Sequence, residues 1–298
     1  MPVDAASDEV QAVPMADRAK APLPRRLGDL ELAGAYVLHG ASSDFGGISG
    51  ARFADGRLLL LSDRSRLFEL GWAAHAPKAP FAMPVLDERQ LLDGRRRALD
   101  AEALELGPDG HVLVGDESRG RVFDYPPGAS MPAGPPLSLP GAFAEHRPTN
   151  EGLETLARLP DGGLLAISEG AWAGTDLHAA FRLTEDDPVV FSYRSAPGFL
   201  PTDADVAGDR LFVLERRLSL LGGWQARIVT LPLSDLPETS GGSVGGEVLA
   251  TIGGSVLGEN YEALAVRHVA GSYVLLILSD DNFNGIQQTQ MLELRWHP

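Results

Sequence analysis

The chain has 298 residues, 44% hydrophobic and 22% charged, enough to bury a large core in one globular domain. Its 25 Lys and Arg against 41 Asp and Glu give a formal charge of −16, which repels phosphate backbones and anionic lipid and argues against a nucleic-acid partner. There is no cysteine, so disulfides, thiolate metal sites and a cysteine nucleophile are excluded. No apolar run approaches the roughly 20 residues of a membrane-spanning helix.

Residues 1–28 are rich in Ala, Pro and charge, without periodicity, and read as a flexible or surface-strapped leader; no apolar signal-peptide core is present in them. Residues 29–298 read as one β domain. Ala-Asp-Gly at 54–56 and Pro-Asp-Gly at 108–110 and 160–162 mark tight turns, and after each an apolar strand ends eight residues past the turn's Asp, at Asp63, Glu117 and Glu169. Two degenerate copies follow, TDADVAGDRLFVLE ending at Glu215 and NYEALAVRHVAGSYVLLILSD ending at Asp280. Each copy supplies about four short strands; the last lacks one, and the early segment Glu31–Gly40 is placed to fill the gap. The expected architecture is all-β: a single closed β-propeller of four-stranded blades, five by this count, or six if residues 71–99 hold further strands.

In an antiparallel hairpin the start of the first strand and the end of the second share one edge. The starts carry Glu102, Glu154, Asp205 and Glu262, with Ile48 in the first copy, and the ends carry Asp63, Glu117, Glu169, Glu215 and Asp280. Crowded carboxylates at one channel mouth repel each other unless cations neutralise them, and a hard divalent cation taking oxygen ligands, Ca²⁺ above all, is the expected cofactor. The expected metal ligands are therefore Glu154, Glu169, Glu262, Asp280, Asp205 and Glu117. Glu102, Glu154 and Glu215 are the expected catalytic carboxylates, with Arg216 as anion clamp. Arg64, Arg217, Asn150, Asn260, Asn282 and Trp172 are the expected substrate contacts. The competing reading makes the acids turn residues and partners of Arg64, Arg119, Arg216 and Arg217. Asp109 and Asp161 belong to turns at the far end and are left out of the site. No G-x-S-x-G elbow and no close His pair is present, so a serine-hydrolase or zinc reading has no support.

The blocks FGGISGARFADGRLLLLSDR, DAEALELGPDGHVLVGDESRGRVFDY, NEGLETLARLPDGGLLAISEG, TDADVAGDRLFVLERR and NYEALAVRHVAGSYVLLILSDDNF together resemble the bacterial phytase-like propeller family described as "esterase-like activity of phytase". The resemblance implies a periplasmic or secreted propeller that hydrolyses phosphate or other esters with the help of metal. The better-studied propeller phytases are six-bladed and use several Ca²⁺ ions; a count of five departs from them. The expected function is thus metal-dependent hydrolysis of a small-molecule ester or anionic substrate by a monomer. The alternatives are a single-metal lactonase or carboxylesterase-like propeller, or a non-catalytic ligand-binding propeller with a structural ion.

Overall fold

The computed structural model describes residues 8–17, 22–73, 75, 78–140, 152–184, 187–220 and 222–298. Its strands follow the turn chemistry. Each tight turn reverses the chain after an apolar run, and each run pairs antiparallel with its neighbour.

Among the described residues the strands fall into five antiparallel groups of four, or blades. The first holds Ile48–Ala54, Arg57–Ser62, Arg66–Gly71 and Phe81–Gln90, and the second Ala101–Leu106, Val112–Asp116, Arg121–Tyr125 and Leu137–Ser138. Leu153–Arg158, Leu164–Ala171, Leu177–Leu183 and Val189–Arg194 form the third, with Ser243–Val244 added in parallel at its outer edge. Leu200–Ala207, Arg210–Ser219, Gly223–Pro232 and Glu247–Gly253 form the fourth. The last combines Tyr261–Val269, Ser272–Ser279 and Gln290–Trp296 with the early strand Leu30–His39, which supplies its fourth position. The connection 71–99 contributes Phe81–Gln90, the outer strand of the first blade.

Apolar packing shows why the ring closes. Five buried clusters each lie between two successive blades: Leu61, Leu104 and Phe123 between first and second, Ala103, Leu153 and Phe181 between second and third, Ile167, Phe191 and Val213 between third and fourth, Phe212, Tyr261 and Ile277 between fourth and fifth. The cluster of Tyr36, Ile48, Phe68, Ala263 and Leu278 then joins the fifth blade to the first. Each sheet is thus apolar on both faces, and only a closed ring covers both.

The leader contributes to this closure. Glu9–Pro14 is a strand inserted between the outer strands of the fifth and first blades, pairing antiparallel with both Leu30–His39 and Phe81–Gln90. Val10 and Ala12, each 1% exposed, anchor it in the same apolar cluster. The pairing removes two open sheet edges at once.

Arg52 fills the channel between the innermost strands. Its guanidinium donates to the carbonyls of Ala51 at 2.6 Å, Leu156 at 2.5 Å, Ala204 at 2.6 Å and Leu264 at 2.9 Å, one from each of four blades. The fifth inner strand supplies Glu105, 3.3 Å from Nε, and Asp203 takes both terminal nitrogens. One buried cation therefore ties all five inner strands together and divides the channel into two mouths.

Candidate functional site

A local irregularity positions the site. Every innermost strand shifts register near its start, at Ser49, Glu102, Glu154, Thr202 and Glu262. Such a bulge inserts one unpaired residue and re-aims its side chain. Three of these positions hold glutamates whose carboxyls interact electrostatically across the mouth. At the other two, Ser49 donates to the Ala101 carbonyl at 2.8 Å and Thr202 approaches the Tyr261 carbonyl at 3.4 Å, each reaching the first residue of the next blade.

The second strands complete the ring with the residue just after the one paired to the inner-strand residue that precedes each bulge. In order around the ring these are Asp63, Glu117, Glu169, Arg216 and Asp280. Here the structure corrects the sequence expectation. Glu215 is paired with Pro201, one residue short of the ring position, so its side chain lies between blades. It accepts from the Tyr193 hydroxyl at 2.7 Å and lies 3.9 Å from Arg227. A one-residue step along a strand reverses the face, and the ring position in the fourth blade is held by Arg216. The spacing carried this signal: Gly208 opens the fourth blade's turn, and Arg216 lies eight residues beyond it, as Asp63 lies eight beyond Asp55.

Asp205 is the second correction. It sits near the turn end of its strand, accepts from the amides of Val206 at 2.7 Å and Val266 at 2.6 Å, and lies 3.9 Å from Arg52 on the far side of the plug. The corresponding mouth residue of that strand is Thr202, just as Ser49 takes the place assigned to Ile48.

Arg216 organises one half of the mouth. It donates to Glu169 at 2.9 Å and to Asn260 Oδ1 at 2.8 Å, and lies 3.1 Å from Glu262. Asn260, 2% exposed, passes its own amide to Glu262 at 2.8 Å and toward Asp280 at 3.5 Å. Burial raises the pKa of Glu154 well above 4.5, Glu169 adds to the rise, and Arg216 opposes it. Glu262 is raised by burial and lowered by Arg216 and by the Asn260 hydrogen bond. Asp280 is pushed up to about 7 by burial and by Glu262, against the amide of Asn282.

The other half gathers further acids. Asp100, Glu102 and Glu117 bring ligand oxygens within 4.8 Å of one another. Burial raises Glu102 well above 4.5, and Glu262, Glu117, Asp63 and Asp100 push it further in the same direction. Asp63 and Asp100 are themselves raised by burial. Asp100 was not among the expected ligands; it is the acid immediately preceding the second blade's first strand, and only the fold turns it toward Glu117. The donor set is all oxygen. Ligands at roughly 2.3–2.6 Å from a Ca²⁺ ion stand up to about 5 Å apart, which this trio matches.

The expected substrate contacts scatter. Asn260 is in the mouth. Arg64 is exposed, with its guanidinium 3.4 Å over the Phe283 ring. Arg217 points away, donating to Gln225 at 2.5 Å and stacking over Phe199. Asn282 is an exposed loop residue bonded to Gln287 at 3.3 Å. Trp172 packs against the cluster between second and third blades. Asn150 lies outside the described residues. Asp281 orders its loop, accepting from the amides of Gly47 at 2.9 Å and Phe283 at 3.1 Å. Asp161 sits in the turn at the opposite end, paired with Arg182.

With the ring of acids in view, the chain's relatives can be stated. A family model described as "Phytase-like: Esterase-like activity of phytase" matches residues 43–283, which take in the first four blades and the two inner strands of the fifth. The chain belongs to this family. No curated protein matches this phytase-like chain in sequence. Among solved structures it is similar to selenomethionine-substituted virginiamycin B lyase from Staphylococcus aureus, at 8% identity and a TM-score of 0.45, over 96% of this chain and 98% of that one. It is also similar to PQQ-bound aldose sugar dehydrogenase from Streptomyces coelicolor, at 14% identity and a TM-score of 0.45, over 91% and 98%. Glutaminyl cyclase from Myxococcus xanthus matches at 11% identity and a TM-score of 0.43, over 89% and 95%. Similarities of that order say nothing about the chemistry of the phytase-like mouth. No helix among the described residues is long and apolar enough to cross a membrane.

Proposed function

We propose that this phytase-like propeller is an ester hydrolase that depends on a hard divalent cation, Ca²⁺ first, with phosphoesters the leading substrate class. The observation that carries this reading is the convergence of acids at the mouth: Arg216 compensates Glu154, Glu169 and Glu262, and beside them ligand oxygens of Asp100, Glu102 and Glu117 come within 4.8 Å of one another, the spacing a hard cation takes. Like charges so close ionise together only when a cation joins them. Asp100, Glu102 and Glu117 would hold that cation, which supplies charge stabilisation and polarisation of a bound ester or phosphoryl oxygen.

The remaining roles fall to side chains. Arg216, itself held protonated by four glutamates, opposes the rise of Glu262 and presents positive charge to an anionic group entering the mouth. Glu154, 6% exposed and raised well above the usual carboxyl range by burial, is suited to donate a proton to a leaving alkoxide. Asn260 fixes the orientation of both Arg216 and Glu262 through its amide. The absence of cysteine agrees with a periplasmic or secreted setting, where weak Ca²⁺ sites are filled.

The test is calorimetric titration of chelator-treated protein with Ca²⁺, followed by a screen of phosphoesters. Wild type should bind saturably, Glu102→Gln should weaken binding at least tenfold, and Glu215→Gln and Asp205→Asn should leave it unchanged. Equal binding by wild type and Glu102→Gln would refute the assignment.

A further inference from the structure

A chain of net charge −16 carries a pocket lined mainly by arginine. It is a cavity of about 320 Å³ lined by Arg95, Arg97, Arg119 and Arg121, with Asp93 at its base and Phe123 and Pro136 as walls. Its two arginine-bearing segments both run into the mouth: Arg97 lies three residues before Asp100, and Arg119 two residues after Glu117, in the turn Glu117–Arg119.

The loop that presents the first pair is rigidly built. Asp93, 6% exposed, uses one carboxylate oxygen to accept from the amides of Arg95 at 2.7 Å and Arg97 at 2.9 Å. Its own amide donates to the Arg97 carbonyl at 2.7 Å, and Arg96 adopts φ of 64°, a left-handed turn that faces its neighbours into the cavity. The second pair shares one acid: Asp116 takes Arg121 at 2.6 Å and Arg119 at 3.8 Å. Four guanidiniums thus meet two carboxylates, one of which, Asp93, accepts backbone amides and also attracts Arg97 and Arg119. Among the described residues, Arg95 and Arg97 form no ion pair. Four exposed or half-exposed guanidiniums held together repel one another unless an anion joins them, and their planar forks match tetrahedral oxyanions.

We propose that Arg95, Arg97, Arg119 and Arg121 form a binding pocket for a phosphate or sulfate group, separate from the carboxylate mouth and independent of any metal there. The site stands whether or not the mouth hydrolyses esters.

The test is titration of the chelator-treated full chain with inorganic phosphate, and separately with sulfate, at low ionic strength where screening is weak. Saturable phosphate binding is expected without divalent cation, weakened at least tenfold in Arg97→Gln/Arg119→Gln and unchanged in Glu102→Gln. Sulfate bound as tightly as phosphate assigns the pocket to tetrahedral dianions in general; a phosphate preference narrows it to phosphate groups. No saturable binding of either anion, or binding unaffected by the double substitution in a protein of unchanged melting temperature, overturns the proposal. Because no metal is present, neither result bears on the Ca²⁺ titration.

Discussion

Arg52 and Asp203 meet as a two-pronged fork, Nη1 to Oδ2 and Nη2 to Oδ1 each at 3.1 Å, with both side chains at most 2% exposed. Around this pair the same guanidinium satisfies carbonyls from four inner strands, and Asp203 also accepts from the amides of Ala204 and Leu264, both at 2.8 Å. Removing either partner leaves a buried charge without compensation. Arg52→Met should therefore cost about 3–5 kcal/mol of stability. Arg52→Lys should recover only a fraction, since one ammonium cannot reproduce a five-donor fork. Urea denaturation of the variants measures both.

Arg216 offers a different contrast, because its partners are titratable carboxylates at the mouth. Arg216→Gln removes the cation that lowers Glu154 and Glu262. Those acids take up protons toward acid and lose them toward alkali, so the destabilisation should be larger at pH 8 than at pH 4. Thermal melts at the two pH values read this directly. A penalty equal at both would show that Arg216 acts by packing alone.

The raised carboxyls set the pH profile of the metal-free protein. Glu102, Glu154, Glu262 and Asp280 all have folded pKa values above their unfolded ones, Asp280 at about 7. The folded state binds more protons than the unfolded chain in that window, so stability is fully present below about pH 4 for these groups and is lost as pH rises through their folded pKa values. Chelator-treated protein should accordingly melt lower at pH 8 than at pH 5.5. Adding Ca²⁺ at pH 8 should reverse the loss, by roughly 2.7 kcal/mol at a hundred times Kd. A melting temperature indifferent to Ca²⁺ at pH 8 would count against metal at the mouth.

The inserted strand Glu9–Pro14 covers the outer edges of two blades. Val10→Asp places a carboxylate at a position 1% exposed, and removal of residues 1–17 uncovers both edges. Either change should lower the melting temperature by several degrees, and the truncation should add concentration-dependent self-association through the open edges, seen by size-exclusion chromatography.

Much of this architecture follows from local chemistry. Asp-Gly turns fix where hairpins reverse, and apolar runs fix which segments are buried, so the blades and the end of the ring to which acids are drawn can be read along the chain. Glu102, Glu154, Glu169, Glu262 and Asp280 are found that way because they fall at fixed distances from turns. Glu215 and Asp205 mislead for one reason: residue type suggested an acid where side-chain direction, which alternates with every residue, pointed elsewhere. The bulges at Ser49, Glu102, Glu154, Thr202 and Glu262 break that alternation once per blade, and nothing in a period of two announces them. Arg216 in the ring, Asp100 beside Glu117, and Arg52 on the axis are decided by five strands converging from positions more than 200 residues apart. The sequence by itself determined the repeating hairpin and its acidic edge. Only closure of the ring decided which charges face one another, because that depends on register and on which strands share the channel.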